Sequence, residues 1–297
     1  MREDLAQPCG STQDNRIRLN SKALRQVRTG GADQAIERSL RPATERVVEL
    51  PRSASARAIN IWCFDLEIGP TEATRFIASL ATDEQERAMR FVRAEHQRRF
   101  IAGRFYMREI LGHLCGNTGS QLRFQYGLGG KPELVGVSNL HFNLAHSGRF
   151  GVLATCAAAR VGIDVEVMGS YHDVACRVLT PKELVFFGRH RGDHAELFSR
   201  YWSGKEAFLK LWGIGLSVDP RAIEIDWVDP PICRPLMSHH PGIDVAFLRP
   251  VSIASEAICT VACEWPPAAV LRRWPPIRPG ARAPLVESVG SAGGRDR

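Results

Sequence analysis

The stretch Phe150–Val167, FGVLATCAAARVGIDVEV, contains two apolar segments separated by four residues. The first, Phe150–Cys156, and the second, Val161–Val167, each have the length and composition of a buried strand. Ala157–Arg160 is therefore predicted to form the turn between them. The apolar run that begins at Phe150 is about half as long as the ~20 residues that a membrane helix needs, which argues against a membrane protein.

Segments on both sides of this pair have strand and helix patterns. The predicted strands are Ile59–Leu66, a short strand ending at residues 141–144, Ala222–Trp227, Asp244–Leu248, Ser252–Ile258 and Thr260–Glu264. The predicted helices start at the N-cap Thr82 and end at Phe91, run from about Glu95 to Leu114, follow the cap Thr180-Pro181, and run from Phe198 to Trp212 before Gly213 and Gly215. This order predicts an α+β fold with two similar halves that meet near residue 158.

The positive charge is concentrated at the two ends of the chain. The 297 residues contain 39 Lys and Arg against 32 Asp and Glu, a formal charge of +7. Residues 1–57 and 268–297 each have a net charge of +4, and residues 58–267 have −1. This distribution argues against nucleic-acid binding by the whole protein. The predicted organisation is a flexible basic leader (1–57), an N-terminal half (58–158), a C-terminal half (159–267) and a disordered tail (268–297).

The eight cysteines form no CxxC pair, and no second close pair accompanies Cys259 and Cys263. A zinc site is therefore not indicated, and the cysteines are predicted to be small buried hydrophobic residues in a reducing compartment. Residues 1–20 lack the apolar core of a secretory signal. The protein is accordingly predicted to be cytoplasmic.

Two carboxylates, Asp164 and Glu166, lie two residues apart in the second of the central strands. Residues two apart in a strand project to the same face, so the two carboxylates are expected to point to one place. Ile163 and Val165 then project to the opposite face, into the core. Two neighbouring carboxylates repel each other unless a positive charge lies between them, and Mg²⁺ is commonly bound by one or two carboxylates. An exposed strand edge is the alternative interpretation.

The segment Trp202–Lys210, WSGKEAFLK, is predicted to be helical, with Glu206 and Lys210 on one face. An amphipathic helix with a surface ion pair accounts for this pattern. The functional alternative is that Glu206 joins the carboxylates of the strand, while Lys210 meets the charge of a phosphate beside them.

Three further segments contain residues able to bind an anion. In Phe142–Gly148, FNLAHSG, the His146 side chain and a turn at Ser147-Gly148 are candidates, although a single histidine is commonly structural. The loop Gly129–Pro132, GGKP, could bring backbone close to a ligand or form an ordinary turn. Seven arginines form either a solvated helix face or a phosphate-binding surface: Arg87, Arg90, Arg93, Arg98, Arg99, Arg104 and Arg108.

Taken together and in this order, the motifs resemble those of the Sfp-type 4′-phosphopantetheinyl transferases. The matching segments are Gly130–Pro132, Phe142–Ser147, Val161–Glu166 and Phe198–Lys210, followed by Gly213 and Gly215. The similarity extends from about Ile59 to Leu248. Each motif is weak by itself, but four motifs in the expected order are specific.

The resemblance implies transfer of the 4′-phosphopantetheine of coenzyme A to a serine of an apo acyl or peptidyl carrier protein, with release of adenosine 3′,5′-bisphosphate. It also implies Mg²⁺ dependence, a monomer, and two pseudo-symmetric halves with the active site in the cleft between them. The pathway served, whether fatty acid, polyketide, nonribosomal peptide or siderophore synthesis, is not indicated.

Residue roles follow from the resemblance position by position. The implied Mg²⁺ ligands are Asp164, Glu166 and Glu206. The residues implied to bind coenzyme A are Arg87, Arg99, Lys131, Pro132, His146, Ser147 and Lys210, and those implied to be catalytic are Glu183, Lys210 and His146. Among these, Glu183 corresponds to the glutamate proposed in the family to deprotonate the carrier serine.

The chain departs from the family pattern at two places. Glu84-Gln85 stands where relatives often carry an extra lysine before the arginine run, and Val165 between the two acids cannot ligate a metal. The alternative hypotheses are a non-catalytic protein that binds carriers or nucleic acid through its basic ends, and another Mg²⁺-dependent phosphotransferase that consumes a different nucleotide.

Overall fold

A computed structural model describes residues 58–273 except Leu128, 170–173 and 237–243. The predicted leader and residues 274–297 of the predicted tail lie outside the described residues. The elements up to residue 158 are β1 (Ala58–Asp65), α1 (Pro70–Ile77), α2 (Thr82–Met89), α3 (Ala94–Cys115), β2 (Phe124–Tyr126), β3 (Pro132–Leu134), β4 (His141–Ser147) and β5 (Phe150–Cys156). Those that follow are β6 (Val161–Val167), α4 (Ala175–Val178), α5 (Pro181–Arg189), α6 (His194–Trp212), β7 (Ile223–Asp226), β8 (Ile232–Pro235), β9 (Ala246–Ala254), β10 (Ala257–Cys263) and β11 (Ala268–Arg273).

The strands form two main sheets and one small hairpin. The first sheet has the order β11-β1-β5-β4, and the second has the order β6-β10-β9-β8-β7. All pairs in the second sheet are antiparallel, whereas β11 runs parallel to β1 in the first. Each sheet is associated with one long helix, α3 or α6. The predicted α+β fold with two similar halves is thus confirmed.

The central pair of strands has the predicted bounds, Phe150–Cys156 and Val161–Val167. Although only a turn separates them, they belong to different sheets. The turn therefore carries the chain from one half to the other. The prediction that Ile163 and Val165 face the core is confirmed, since both side chains are fully buried.

Three predictions for individual elements are wrong. Ala268–Arg273, predicted to be disordered, pairs with β1 along its whole length, and Arg272 Nε donates to Asn60 Oδ1 at 2.7 Å. The predicted strand Ser252–Ile258 is divided between two strands: it contains the end of β9, the two-residue turn Ser255-Glu256 and the start of β10. The N-cap of α2 is Ala81 and not Thr82, and α6 begins at His194, four residues earlier than predicted.

Buried side chains form three clusters. One lies between α1–α3 and the first sheet, and a second lies between α4–α6 and the second sheet. The third contains residues of both sheets, such as Ile61 of β1, Ile163 of β6 and Val261 of β10. This third cluster joins the two halves into a continuous core.

Helix α6 lies directly on β6 because Gly162 has no side chain. A Cβ atom at Gly162 would lie 2.0 Å from the Ala207 carbonyl oxygen and 2.5 Å from the Leu211 nitrogen. Such distances are far inside van der Waals contact. The close approach brings Glu206 and Lys210 of α6 to the strand that carries Asp164.

Five of the seven described cysteines are buried, which agrees with the prediction of small hydrophobic residues; Cys63 is half-buried and Cys176 exposed. Among the described helices, none combines the length and the apolar character needed to span a membrane.

Candidate active site

Strands β4 and β6 are linked by side chains at the junction of the two sheets. The Ile163 N–H donates to Asn143 Oδ1 at 2.9 Å, and the Val167 N–H donates to Ser147 Oγ at 3.1 Å. Asn143 is buried, so its amide oxygen satisfies a backbone donor that would otherwise be unpaired. These bonds place His146 and Ser147, at the end of β4, beside the acidic residues of β6.

The Lys210 ammonium connects two of the predicted metal ligands. Its Nζ donates to Asp164 Oδ1 at 2.5 Å and lies 3.8 Å from Glu206 Oε2. Asp164 is only 3% exposed, and its second oxygen, Oδ2, has no hydrogen-bond partner among the described residues. One carboxylate oxygen is thus buried and available for a further ligand.

The three carboxylates influence each other electrostatically. Burial raises the pKa of Asp164 to about 7, Lys210 opposes this rise, and the charges of Glu166 and Glu206 add to it. Burial also raises the pKa of Glu206, again opposed by Lys210 and reinforced by Glu166. Three acids near a single lysine leave an excess of negative charge, which favours a cation at this place.

Two donors hold the third carboxylate, Glu166. Trp202 Nε1 donates to Oε1 at 2.9 Å, and Ser147 Oγ donates to Oε2 at 3.2 Å. The sequence analysis gave Trp202 no polar role and overlooked this bond. A signal was present, because Trp202, Glu206 and Lys210 are spaced by four residues and therefore share one face of α6.

Whether these residues fit Mg²⁺ depends on how many protein ligands the ion needs. In the part of the chain that the structure describes, no group of three or more His, Cys, Asp or Glu side chains is arranged to hold a metal by itself. Mg²⁺ usually takes one or two carboxylates and completes its shell with water and phosphate oxygens. The unpartnered Asp164 oxygen, with the excess negative charge around it, fits this smaller requirement.

His146 and Arg99 lie at the positive side of the site. Burial lowers the pKa of His146, and the nearby charges of Lys210 and Arg99 lower it further. The neutral form of the imidazole is therefore favoured, and two cations lie near it. Arg99 itself is paired with Glu67, at 2.8 Å from its Nε, and with Glu95, at 2.5 Å.

Glu183 has contacts typical of a structural residue. It is 2% exposed, and Oε2 accepts from Lys205 Nζ at 2.6 Å and from the Thr180 N–H at 2.8 Å. Oε1 accepts from the Ile225 N–H at 2.9 Å. Thr180 completes a reciprocal capping box at the start of α5, as predicted. The hydrogen bonds described for Glu183 join these elements, and none connects it to the Asp164 cluster.

Lys131 is also turned into the protein. Its Nζ donates to the carbonyl oxygens of Val161 at 2.8 Å and Leu211 at 3.2 Å, so it ties its loop to β6 and to the end of α6. Burial, with a contribution from Arg160, lowers the pKa of Lys131 to about 8. Pro132 begins β3 opposite Tyr126. The structure therefore gives the Lys131 ammonium a bracing role, and the coenzyme A binding that the resemblance implies for Lys131 stays a prediction.

Arg87 lines a separate cavity of about 230 Å³ together with Asp83, Glu84, Phe100, Arg104 and Tyr126. Its guanidinium lies 5.3 Å from the Phe100 ring centre. Tyr126 connects this cavity to Pro132 through the β2–β3 hairpin.

Glu84, at the position where the chain departs from the family pattern, is buried and binds two arginines. Its two oxygens accept from Arg104 Nε and Arg108 Nε, each at 2.6 Å. Two members of the arginine run therefore lie inside the protein and do not form a solvated face.

Comparison with known proteins identifies the class to which this fold and site belong. Residues 160–262 match the family model of the 4′-phosphopantetheinyl transferase superfamily, and residues 69–158 match that of the N-terminal region of 4′-phosphopantetheinyl transferases. The boundary between the two matches falls in the turn between β5 and β6.

The names of individual relatives all contain the term phosphopantetheinyl transferase. The chain is 35% identical over 166 residues to 4′-phosphopantetheinyl transferase HetI of Nostoc sp., covering 54% of this chain and 70% of HetI. It is 28% identical over 156 residues to 4′-phosphopantetheinyl transferase Sfp of Bacillus subtilis, covering 52% and 69%. To the L-aminoadipate-semialdehyde dehydrogenase-phosphopantetheinyl transferase of Mus musculus it is 29% identical over 174 residues, covering 53% and 56%. The chain belongs to the 4′-phosphopantetheinyl transferase superfamily, and the resemblance found in its sequence is confirmed.

Proposed function

We propose that this protein transfers the 4′-phosphopantetheine moiety of coenzyme A to a serine of an apo acyl or peptidyl carrier protein and releases adenosine 3′,5′-bisphosphate. The observation that carries the proposal is the Lys210 ammonium held between Asp164 and Glu206, beside a buried carboxylate oxygen without a partner. In a family of phosphopantetheinyl transferases, such a site suits a pyrophosphate with its cation. The monomeric state and the cytoplasmic location stay predictions.

Asp164 and Glu206, with Glu166 beside them, would hold Mg²⁺. When bound, this ion neutralises negative charge on the pyrophosphate and on the departing phosphate. The serine oxygen forms a bond to the phosphorus on the pantetheine side, and the bond from that phosphorus to the bridging oxygen breaks. Lys210 donates to the phosphate oxygens on which charge accumulates.

The serine must lose its proton, and Glu183 is the base that the resemblance proposes. Both of its oxygens are held by Lys205 and by backbone N–H groups. These bonds occupy three of the about four lone-pair directions of the carboxylate, so the serine hydroxyl would have to reach the remaining direction, on Oε1 of a side chain that is buried. A base also has to lie within hydrogen-bond reach of the hydroxyl.

The remaining predicted residues are proposed to bind the nucleotide end of coenzyme A. His146 and Arg99 would donate to the 3′-phosphate side, and the charges of Lys210 and Arg99 both act on the pKa of His146. Arg87 contributes a further cation from the cavity that adjoins Pro132. Lys131 supports this proposal indirectly, since it holds the loop that carries Pro132.

The experiment that tests the proposal is incubation of the full chain with coenzyme A, Mg²⁺ and a panel of apo-carrier proteins. Mass spectrometry should show one phosphopantetheine added to a carrier serine, and chromatography should show adenosine 3′,5′-bisphosphate. Asp164→Ala should abolish turnover and retain the far-UV circular dichroism spectrum. Asp226→Ala is a matched control, because Asp226 pairs with Lys182 and Arg234 away from the site. If no carrier in the panel is modified, the proposal is refuted.

The alternative hypothesis of a binding protein that uses its basic ends is tested by truncation. A chain of residues 58–273 keeps β11, which pairs with β1, and removes most of the basic ends. The transferase hypothesis expects turnover by this chain. The binding-protein hypothesis expects the truncated chain to lose carrier or nucleic-acid binding, and it expects no turnover by the full chain or the truncated one.

A further inference from the structure

The Glu166 carboxylate receives one hydrogen bond on each oxygen, and the two donors come from different elements. Trp202 of α6 donates to Oε1, and Ser147 of β4 donates to Oε2. The direction of the second bond follows from the Val167 N–H, which donates to Ser147 Oγ at 3.1 Å. Since that oxygen already accepts a bond, its single hydrogen is free to point at Glu166.

This arrangement fixes the plane of the carboxylate. A carboxylate with one donor can rotate about its last torsion angle, whereas donors on both oxygens restrict it to one orientation. An ionised carboxylate has about four lone-pair directions, so two stay available for another ligand. Glu166 is thus held and still able to bind.

The indole bond of Trp202 contrasts with another tryptophan of the same helix. Trp212 Nε1 is buried and has no hydrogen-bond partner among the described residues. Its ring instead packs against Phe208 and lies 4.6 Å from the Arg160 guanidinium. Burial of an indole on α6 therefore does not by itself require a partner for its N–H.

We infer that Trp202 and Ser147 are positioning residues that orient Glu166 toward the divalent cation, an inference that rests on the proposed function. Groups that hold a metal ligand in place are worth about 10- to 100-fold in metal affinity. Ser147 belongs to the first half, and Trp202 and Glu166 belong to the second. The cation site is consequently completed only when the two halves are packed together.

The test replaces the indole N–H and keeps an aromatic ring. Mn²⁺ is titrated into the full-length wild type, Trp202→Phe and Trp212→Phe, and the free ion is measured by electron paramagnetic resonance. Trp202→Phe should bind Mn²⁺ about 10- to 100-fold more weakly, and Trp212→Phe should match the wild type. Thermal unfolding of both variants separates this effect from a general loss of stability.

A kinetic measurement distinguishes positioning from packing. In the carrier assay, Trp202→Phe should raise the Mg²⁺ concentration that gives half-maximal rate, and saturating Mg²⁺ should restore most of kcat. A packing defect would instead lower kcat at every Mg²⁺ concentration. Ser147→Ala should shift the Mg²⁺ dependence in the same direction, and Ser147→Thr, which retains the hydroxyl, should restore it.

The outcomes separate this inference from the proposed function. If Trp202→Phe and Ser147→Ala both have the wild-type affinity for Mn²⁺ and the wild-type Mg²⁺ dependence, the positioning role is refuted, whether or not carriers are modified. If the wild type modifies no carrier, the proposed function fails, and the Mn²⁺ titration still reports on the two donors. Should Trp202→Phe fail to fold, the Mn²⁺ affinity of Ser147→Ala against Ser147→Thr decides.

Discussion

Replacing Lys205 by methionine tests whether its ion pair with Glu183 is a structural support of the C-terminal half. Lys205 is completely buried, and its Nζ donates to Glu183 Oε2 at 2.6 Å, to the Val178 carbonyl at 2.8 Å and to the Pro220 carbonyl at 2.9 Å. Lys205→Met leaves the buried Glu183 charge without its cation and two carbonyl groups without a donor. Breaking such a pair lowers the free energy of unfolding by about 3–5 kcal/mol.

Glu183→Gln and the double variant complete the cycle. Glutamine can keep the capping box at the start of α5, but it leaves the Lys205 charge unpaired. The double variant Lys205→Met/Glu183→Gln removes both charges, so its loss should be clearly smaller than the sum of the two single losses. Urea unfolding followed by circular dichroism at pH 7 gives the three differences.

The same variants decide what Glu183 does. A loss below about 1 kcal/mol for Lys205→Met, or additive losses in the cycle, would refute the structural interpretation. If Glu183 is the base, Glu183→Gln should remove turnover and flatten the pH profile of kcat. If it is structural, the remaining activity should keep the wild-type pH profile while the free energy of unfolding falls.

Three other variants test the parts of the site. Burial raises the pKa of Asp164 from 3.8 to about 7, so the wild type loses stability as the pH rises between these values, because only the unfolded chain ionises freely. The free energy of unfolding of Asp164→Asn, measured by urea unfolding in EDTA, should therefore rise relative to that of the wild type by up to about 4 kcal/mol between pH 3.8 and 7. Above pH 7 the difference should stay constant. A difference that does not depend on pH would contradict this. Asn143→Ala leaves the Ile163 N–H unpaired and should lower the free energy of unfolding by about 1–3 kcal/mol, with unchanged stability as the opposing result. Gly162→Ala forces a methyl group against the Ala207 carbonyl and should lower the free energy of unfolding by about 1–3 kcal/mol. It should also reduce turnover, because α6 carries Glu206 and Lys210. Full activity would show that α6 can move away from β6 without loss of function.

Elements with strong local signals were predicted from the sequence with their correct bounds. Phe150–Cys156 and Val161–Val167 are apolar over their whole length, and Thr180-Pro181 has the side chains that begin a helix. Ala268–Arg273 has no such signal, and its strand depends on pairing with β1, about 210 residues earlier.

The residues of the candidate site divide in the same way. The motif order placed His146, Ser147, Asp164, Glu166, Glu206 and Lys210 in one site, and their side chains do interact or influence each other's pKa. Glu183 and Lys131 were given substrate roles because their motifs match the family. Those roles stay predictions. The hydrogen-bond partners that the structure shows for these two residues, Lys205 and the Val161 and Leu211 carbonyls, belong to other elements and could not be read from the local pattern.

By itself, the sequence determined the family, the α+β class and the identity of the acidic residues, because periodicity and motif spacing are properties of neighbouring positions. Only the tertiary structure decided which charges gather at the candidate site and which are used to hold the protein together. The physical reason is that a buried charge needs a partner, and that partner is supplied by whichever element packs against it. Lys210 and Lys205 lie on the same helix, five residues apart, yet one reaches the acidic site and the other braces the C-terminal half.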